Sequence, residues 1–184
     1  MFKQLSRLVL VSQLLYAMSA NALLTPGAVA PDFTAEAALA GQSFSYSLSE
    51  ALKKGPVVLY FYPKAFTSGC TVQAHLFSRA SQDFNALGAT IIGVSNDSLE
   101  TQKQFSLKEC GSTLPVAADP DGNVVRLYDA SMAFGSATSK RVTYVIAPDG
   151  KILYAYSDVN PKEHVNKSLD VVKRWKASQQ PASQ

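Results

Sequence analysis

The chain has 184 residues, 47% of them hydrophobic and 17% charged, which is enough apolar matter for the core of one ordinary domain and too much for a disordered polymer. Its formal charge is +3, but Lys3 and Arg7 stand near the N-terminus, and beyond them 15 basic and 14 acidic side chains nearly cancel. No Lys/Arg cluster is left to follow a phosphate backbone, which excludes nucleic acid as the expected partner.

Taken in chain order, Lys3 and Arg7 head a short apolar run, Leu8 to Tyr16, and Ala20-Asn21-Ala22 follows as a small-residue cleavage box. This predicts a signal peptide over residues 1–22 and export to a periplasmic or secreted location. The run is too short to span a bilayer and is broken by Ser12 and Gln13. In an oxidising compartment two cysteines, here Cys70 and Cys110, ordinarily mean a structural disulfide.

Residues 23–31 read as an irregular lead-in, and 32–55 as short strands with a helical turn ending at Lys53-Lys54-Gly55. "PVVLYFYP" (56–63) and "ATIIGVSND" (89–97) are β-branched, aromatic runs of the kind buried on both faces of a sheet. Between them Val72, Leu76, Ala80, Phe84 and Leu87 recur at helical spacing, with Thr67 or Ser68 as the N-cap and Gly88 as a left-handed stop. Ser98 to Cys110 predicts a second helix ended by Gly111, and residues 115–119 a short strand. A turn at Asp119-Pro120-Asp121-Gly122 and a short helix near Val124 to Tyr128 come next. Residues 141–157 form a hairpin turning at Pro148-Asp149-Gly150. Asn160, Pro161 and Glu163 begin a last helix carrying Val165, Leu169, Val172 and Trp175, and the tail after Lys176 is polar and loose. The alternation predicts an α/β fold, a central mixed sheet flanked by helices on both faces.

Ligand sites in such sheets lie at the carboxyl ends of the parallel strands, where Cys70 stands. Read locally, its thiol could be an inert hydrophobe, half of a disulfide, a metal ligand or a nucleophile. The first turn of a helix aims free N–H groups and a positive dipole end at the sulfur, a setting that lowers a thiol pKa and favours the nucleophile. Gly69 leaves the backbone open to a substrate. Pro63 ends the strand and can wall off the sulfur, and the Thr67 hydroxyl can meet a small oxygen substrate beside it. Thr67-Ser68-Gly69-Cys70 has a hydroxyl where a dithiol exchanger needs its first cysteine, so local dithiol exchange is excluded. Cys70 and His75 lie ~140° apart on a helix, a poor metal pair.

The spacing Pro63-x-x-x-Thr67-x-x-Cys70 after "VVLYFY" resembles the active-site signature of peroxiredoxins, and "YFYPKAFTSGCT" is most similar to the peroxiredoxin Q, or bacterioferritin comigratory protein, subgroup. "APDF" (30–33), "IIGVSNDS" (91–98), "ADPDGNVVRLYD" (118–129) and "RVTYVIAPDGKI" (141–152) agree in order and spacing, so the likeness covers roughly residues 28–176. The resemblance implies a thioredoxin-like fold for residues 23–184 and reduction of hydrogen peroxide and small organic hydroperoxides. It implies that Cys70 is the peroxidatic nucleophile, forming a sulfenic acid, and that Arg141 stabilises the thiolate and the peroxide oxygens. It implies that Thr67 orients the peroxide and Pro63 shields the sulfur. It also implies no metal and no bound cofactor, and a thioredoxin-like or small-thiol reductant. The short apolar run predicts no stable membrane association, and a monomer or weak homodimer is expected.

Many relatives of this type carry a second cysteine five residues after the first, where this chain has His75, here read as a surface helix residue. Cys110 is then the candidate resolving thiol. Its helix is expected to run about 18 Å away from the active-site pole. With successive helices expected on opposite sheet faces, a Cys70–Cys110 bond would require unwinding, since disulfides need Cα atoms about 4.4–6.8 Å apart. The other routes are one-cysteine chemistry with an external thiol or an intermolecular disulfide, with Cys110 a core residue. The alternative functions are a non-enzymatic module with a structural Cys70–Cys110 disulfide, or a peroxide sensor.

Overall fold

The computed structural model describes residues 22–180. The expected signal peptide, residues 1–22, lies outside the described residues except for Ala22. Strands β1 (Thr34–Leu39) and β2 (Gln42–Ser47) form a hairpin turning at Ala40-Gly41, both with positive φ, as a two-residue hairpin turn requires. A short helix α1 (Leu48–Leu52) follows, capped by the Ser47 hydroxyl accepting from the Glu50 N–H. β3 (Val57–Phe61) is buried at every residue, as its continuous apolar run demands. Then come α2 (Ser68–Ala86), β4 (Thr90–Ser95), α3 (Leu99–Lys108), β5 (Val116–Ala118), α4 (Asn123–Leu127), β6 (Val142–Ile146), β7 (Ile152–Ser157) and α5 (Lys162–Ser178).

The strands join one seven-stranded sheet in the order β2-β1-β5-β4-β3-β6-β7. β3, β4 and β5 are parallel, and their neighbours β1 and β6 run antiparallel to them. This is the predicted mixed sheet with helices on both faces.

Helix placement departs from expectation. α2 and α3 lie on the same face, because Phe77, Phe84 and Phe105 share one core with Cys70 and Cys110. The reason is topological. β3, β4 and β5 step across the sheet in one direction, and two right-handed crossovers in one direction put both helices on one side. α5 joins that layer through Val165, Val171 and Val172. The opposite face holds α1, α4 and the aromatic group Phe33, Phe61, Tyr128 and Tyr144.

The buried stripe of α2 is Cys70, Gln73, Ala74, Phe77, Ser81 and Phe84. Leu76, Ala80 and Leu87 flank it half-buried and Val72 is exposed, so the predicted stripe was one edge of the true face. α5 packs against α2 on that edge, and Leu76 and Ala80 meet it there. Gly88 takes the left-handed conformation expected of it, with φ 80°. α5 continues to Ser178, so the stretch just after Lys176 is helical rather than loose. The Asn160 side chain accepts from the Lys162 N–H at 3.1 Å, the cap role read from sequence, but the Asn160 N–H goes to the Asp158 carboxylate, not to Glu163.

Candidate active site

β3 ends at Phe61, and Tyr62 still bonds to the β4 edge through its N–H and Val94 O. The chain then leaves the sheet at Pro63. A buried polar network holds the connecting loop. Asp97 accepts from the Ala65 N–H at 2.7 Å and from Ser95 Oγ at 2.8 Å, and Lys64 Nζ lies 3.0 Å from its other oxygen. Gln102 donates to Ser95 Oγ and Ala117 O, and accepts from the Tyr62 hydroxyl at 2.6 Å. Phe66 turns the chain with φ 62°, a left-handed backbone that is strained for a non-glycine residue.

Thr67 is the N-cap of α2 by backbone geometry, yet its hydroxyl makes no cap bond. It donates instead to Lys64 O at 2.9 Å. Among the described residues the first-turn N–H groups, including that of Cys70, are thereby left without a side-chain acceptor at the pole of the sheet. Cys70 is 2% exposed.

Arg141 arrives from the other side. β6 runs antiparallel to β3 with Val142 opposite Phe61, so the preceding residue sits at the carboxyl end of β3. Its side chain is buried and each nitrogen has a partner. Nη2 donates to Cys70 Sγ at 3.6 Å, Nη1 to Gln73 Oε1, and Nε to the Val159 carbonyl at 3.1 Å. A Cβ on Gly69 would stand 3.0 Å from Nη2, so that glycine makes room for the guanidinium. Sequence reading assigned the same space to substrate. Pro63 and Arg141 share a cavity of about 440 Å³ with Met132, Lys140, Ser157, Asp158 and Val159. Cys70 does not line it; Arg141 connects the cavity to the sulfur.

A thiol at a helix start, faced by a guanidinium, can attack an oxygen electrophile whose departing oxygen is negatively charged. The comparisons agree. Residues 26–155 match the AhpC/TSA family. Peroxiredoxin Q of Sedum lineare chloroplasts is 35% identical over 159 residues, 84% of this chain and 81% of the relative. The crystal structure of peroxidoxin BcpB from Mycobacterium tuberculosis superposes with TM-score 0.74 at 30% identity, covering 81% of this chain and 96% of that one. Xanthomonas campestris peroxiredoxin Q gives 0.67 at 29% identity, covering 77% and 90%. The chain belongs to the AhpC/TSA family, as a peroxiredoxin of the Q/Bcp type. Its fold is thioredoxin-like and its activity is thiol-dependent peroxide reduction.

In this peroxiredoxin both cysteines are free thiols. The likeness to peroxiredoxins disfavours a non-enzymatic module stapled by Cys70–Cys110. Cys110 lies just past α3, fully buried, in the same core as Cys70 rather than across the sheet from it. Burial, with the charge of Glu109, pushes its thiol up to about 12, so it is neutral where it sits. His75 is exposed as predicted, its Nε2 3.1 Å from a Glu109 oxygen. Sequence reading missed Gln73 and the Val159 carbonyl as holders of Arg141. Gln73 could have been found, because a glutamine three residues after Cys70 falls on the helix face that the thiol occupies. The carbonyl leaves no mark in any side-chain pattern.

Proposed function

We propose that Cys70 is the peroxidatic residue, with Arg141, Thr67 and Pro63 as its site. The observation that carries this is the Arg141 Nη2 contact to Cys70 Sγ at 3.6 Å, at the start of α2. The Cys70 thiolate attacks the terminal oxygen of a hydroperoxide. The S–O bond forms, the O–O bond breaks, Cys70 becomes a sulfenic acid and the departing alkoxide or hydroxide takes a proton to leave as alcohol or water. Arg141 sets positive charge beside the sulfur and the peroxide oxygens, while the open first-turn N–H groups donate to the substrate. Thr67, with its hydroxyl hydrogen engaged by Lys64 O, offers its oxygen lone pairs to a peroxide proton. Pro63 has no N–H to compete and walls the cavity.

Cys110 then resolves the sulfenic acid, forming the Cys70–Cys110 disulfide and water. A thioredoxin-type dithiol or a small thiol reduces that bond and is itself oxidised. Because Cys110 is buried and neutral, resolution follows local opening of the α2 start, the end of α3, or both. Hydrogen peroxide and small organic hydroperoxides are the substrates. The protein acts after export, in the periplasm or outside the cell, as a monomer or weak homodimer free of the membrane. Among the described residues no helix is long and apolar enough to cross one.

The test is peroxide consumption by the reduced protein. Cys70→Ser abolishes it, and Arg141→Ala lowers the second-order rate by about 10²–10³-fold. Cys110→Ser consumes one equivalent of peroxide at the parent rate and halts as a trappable sulfenic acid. Undiminished consumption by Cys70→Ser would overturn the assignment.

A further inference from the structure

His164 stands on α5, 1% exposed, and the peroxide chemistry above gives it no task. Both ring nitrogens are engaged. Nε2 is 2.9 Å from the Asp158 carbonyl, and Nδ1 is 2.9 Å from Thr143 Oγ1. A carbonyl only accepts, so the proton resides on Nε2, and Nδ1 accepts from the Thr143 hydroxyl. The next carbonyl along the chain, that of Val159, accepts from Arg141 Nε at 3.1 Å. The Val159 side chain is 90% exposed and cannot anchor this turn. Among the described residues the turn's other ties are the Asp158 carboxylate's bonds to the Asn160 N–H and the Tyr156 hydroxyl, the Ser157 hydroxyl on the Arg141 carbonyl, and Asn160 Oδ1 accepting from the Lys162 N–H, none of which holds the Asp158 or Val159 carbonyl itself.

We propose that His164 is a positioning residue for Arg141: held by Thr143, it pins the Asp158 carbonyl, so that the adjoining Val159 carbonyl keeps the guanidinium on Cys70. The chain Thr143–His164–Asp158/Val159–Arg141–Cys70 thus links β6, α5 and the β7–α5 turn to the start of α2. A merely satisfied core histidine would need only some partner at each nitrogen. Here one partner is the carbonyl adjoining the backbone acceptor that fixes the catalytic guanidinium. The charged groups facing the ring are Arg141, Lys167 and Asp158, with the Tyr156 ring edge-on at 4.8 Å. The first two disfavour an imidazolium and Asp158 favours it, and burial dominates, so the ring stays neutral down to about 4 and keeps this hydrogen-bond pattern.

The inference rests on Arg141 and Cys70 as the reacting pair, and a double-mutant cycle on the full chain separates the two. His164→Ala is expected to slow the second-order reaction of reduced protein with hydrogen peroxide by about ten-fold, in line with the penalty for misplacing a catalytic group. In an Arg141→Ala background the same change is expected to slow it less than about two-fold, because the group being positioned is gone. His164→Gln, whose amide N–H can reach the same carbonyl, is expected to recover most of the rate. Thr143→Val, which leaves the ring but frees it to turn, is expected to slow the parent several-fold and the Arg141→Ala protein not at all. This second variant decides the matter if His164→Ala does not fold. Equal slowing in both backgrounds would reduce His164 to a packing residue and overturn the proposal. A slow Arg141→Ala beside a parent-like His164→Ala would overturn it too while leaving the site intact. An Arg141→Ala protein as fast as the parent would remove the site assignment and this inference together.

Discussion

At the residue scale the decisive object is one guanidinium whose three nitrogens are all tied, to Cys70, Gln73 and Val159 O. Arginine suits this because its donors form a rigid planar fork, so each bond fixes the direction of the others. A lysine would keep the charge and lose the direction. Gly69 is the complementary residue. Gly69→Ala is expected to raise intrinsic helix propensity by about 1 kcal/mol. The new Cβ would meet Arg141 Nη2 at 3.0 Å, and a flexible side-chain end yields more readily than the helix. We expect a variant about as stable as the parent, the propensity gain offset by loosened Arg141 bonds, but about ten-fold slower with peroxide, since small misplacements of such a group are costly. Chemical denaturation alongside peroxide kinetics checks it, and an unchanged rate would show that the guanidinium has room to spare. The thiol was legible in sequence as spacing, and its arginine only through the family resemblance of residues 141–152. Gly69 was legible only as a glycine, and what fills the space beside it was not.

At the scale of elements, parallel register decides the packing beneath the site. Tyr60 on β3 pairs with Gly93 on β4, and a Cβ at Gly93 would lie 2.5 Å from the Tyr60 hydroxyl. The ring stacks on Phe77 and Tyr62, so it has nowhere to go. Gly93→Ala is expected to cost about 1–3 kcal/mol as an overpacked core. Among the described residues the Tyr60 hydroxyl is buried without a hydrogen-bond partner, and burial holds its pKa well above the usual range. Tyr60→Phe removes that orphan and should stabilise the protein by about 1–2 kcal/mol in urea titrations. A loss of stability there would mean the hydroxyl is solvated after all. The presence and order of the main helices and strands were readable from periodicity, but the partner of Gly93 was not, because register across two strands is a pairing between distant segments.

At the scale of the whole molecule, the same buried histidine that we place behind Arg141 makes stability depend on pH. Burial lowers His164 from 6.5 to about 4 in the folded chain. Between those values the unfolded chain takes up a proton that the folded chain refuses. Stability from this group is therefore full above about pH 6.5, falls as pH drops toward about 4, and changes no further below that. The loss amounts to about 3 kcal/mol. Denaturant midpoints measured from pH 7 to pH 4 should show this decline, and His164→Gln should remove its share. A parent curve flat over that window would show that His164 is charged or solvated when folded. The sequence by itself determined the mixed α/β architecture and the placing of Cys70 at a strand-to-helix turn, because periodicity and motif spacing are local properties of the chain, while Arg141, just before β6, was reached through the family resemblance. Only the tertiary structure decided that α2 and α3 share a face, that Cys110 is buried in one core with Cys70, that Gln73 and the Val159 carbonyl hold Arg141, and that His164 binds the carbonyl next to Val159. Those facts follow from crossover handedness and from bonds between remote residues, several of them made by backbone carbonyls that every residue carries alike.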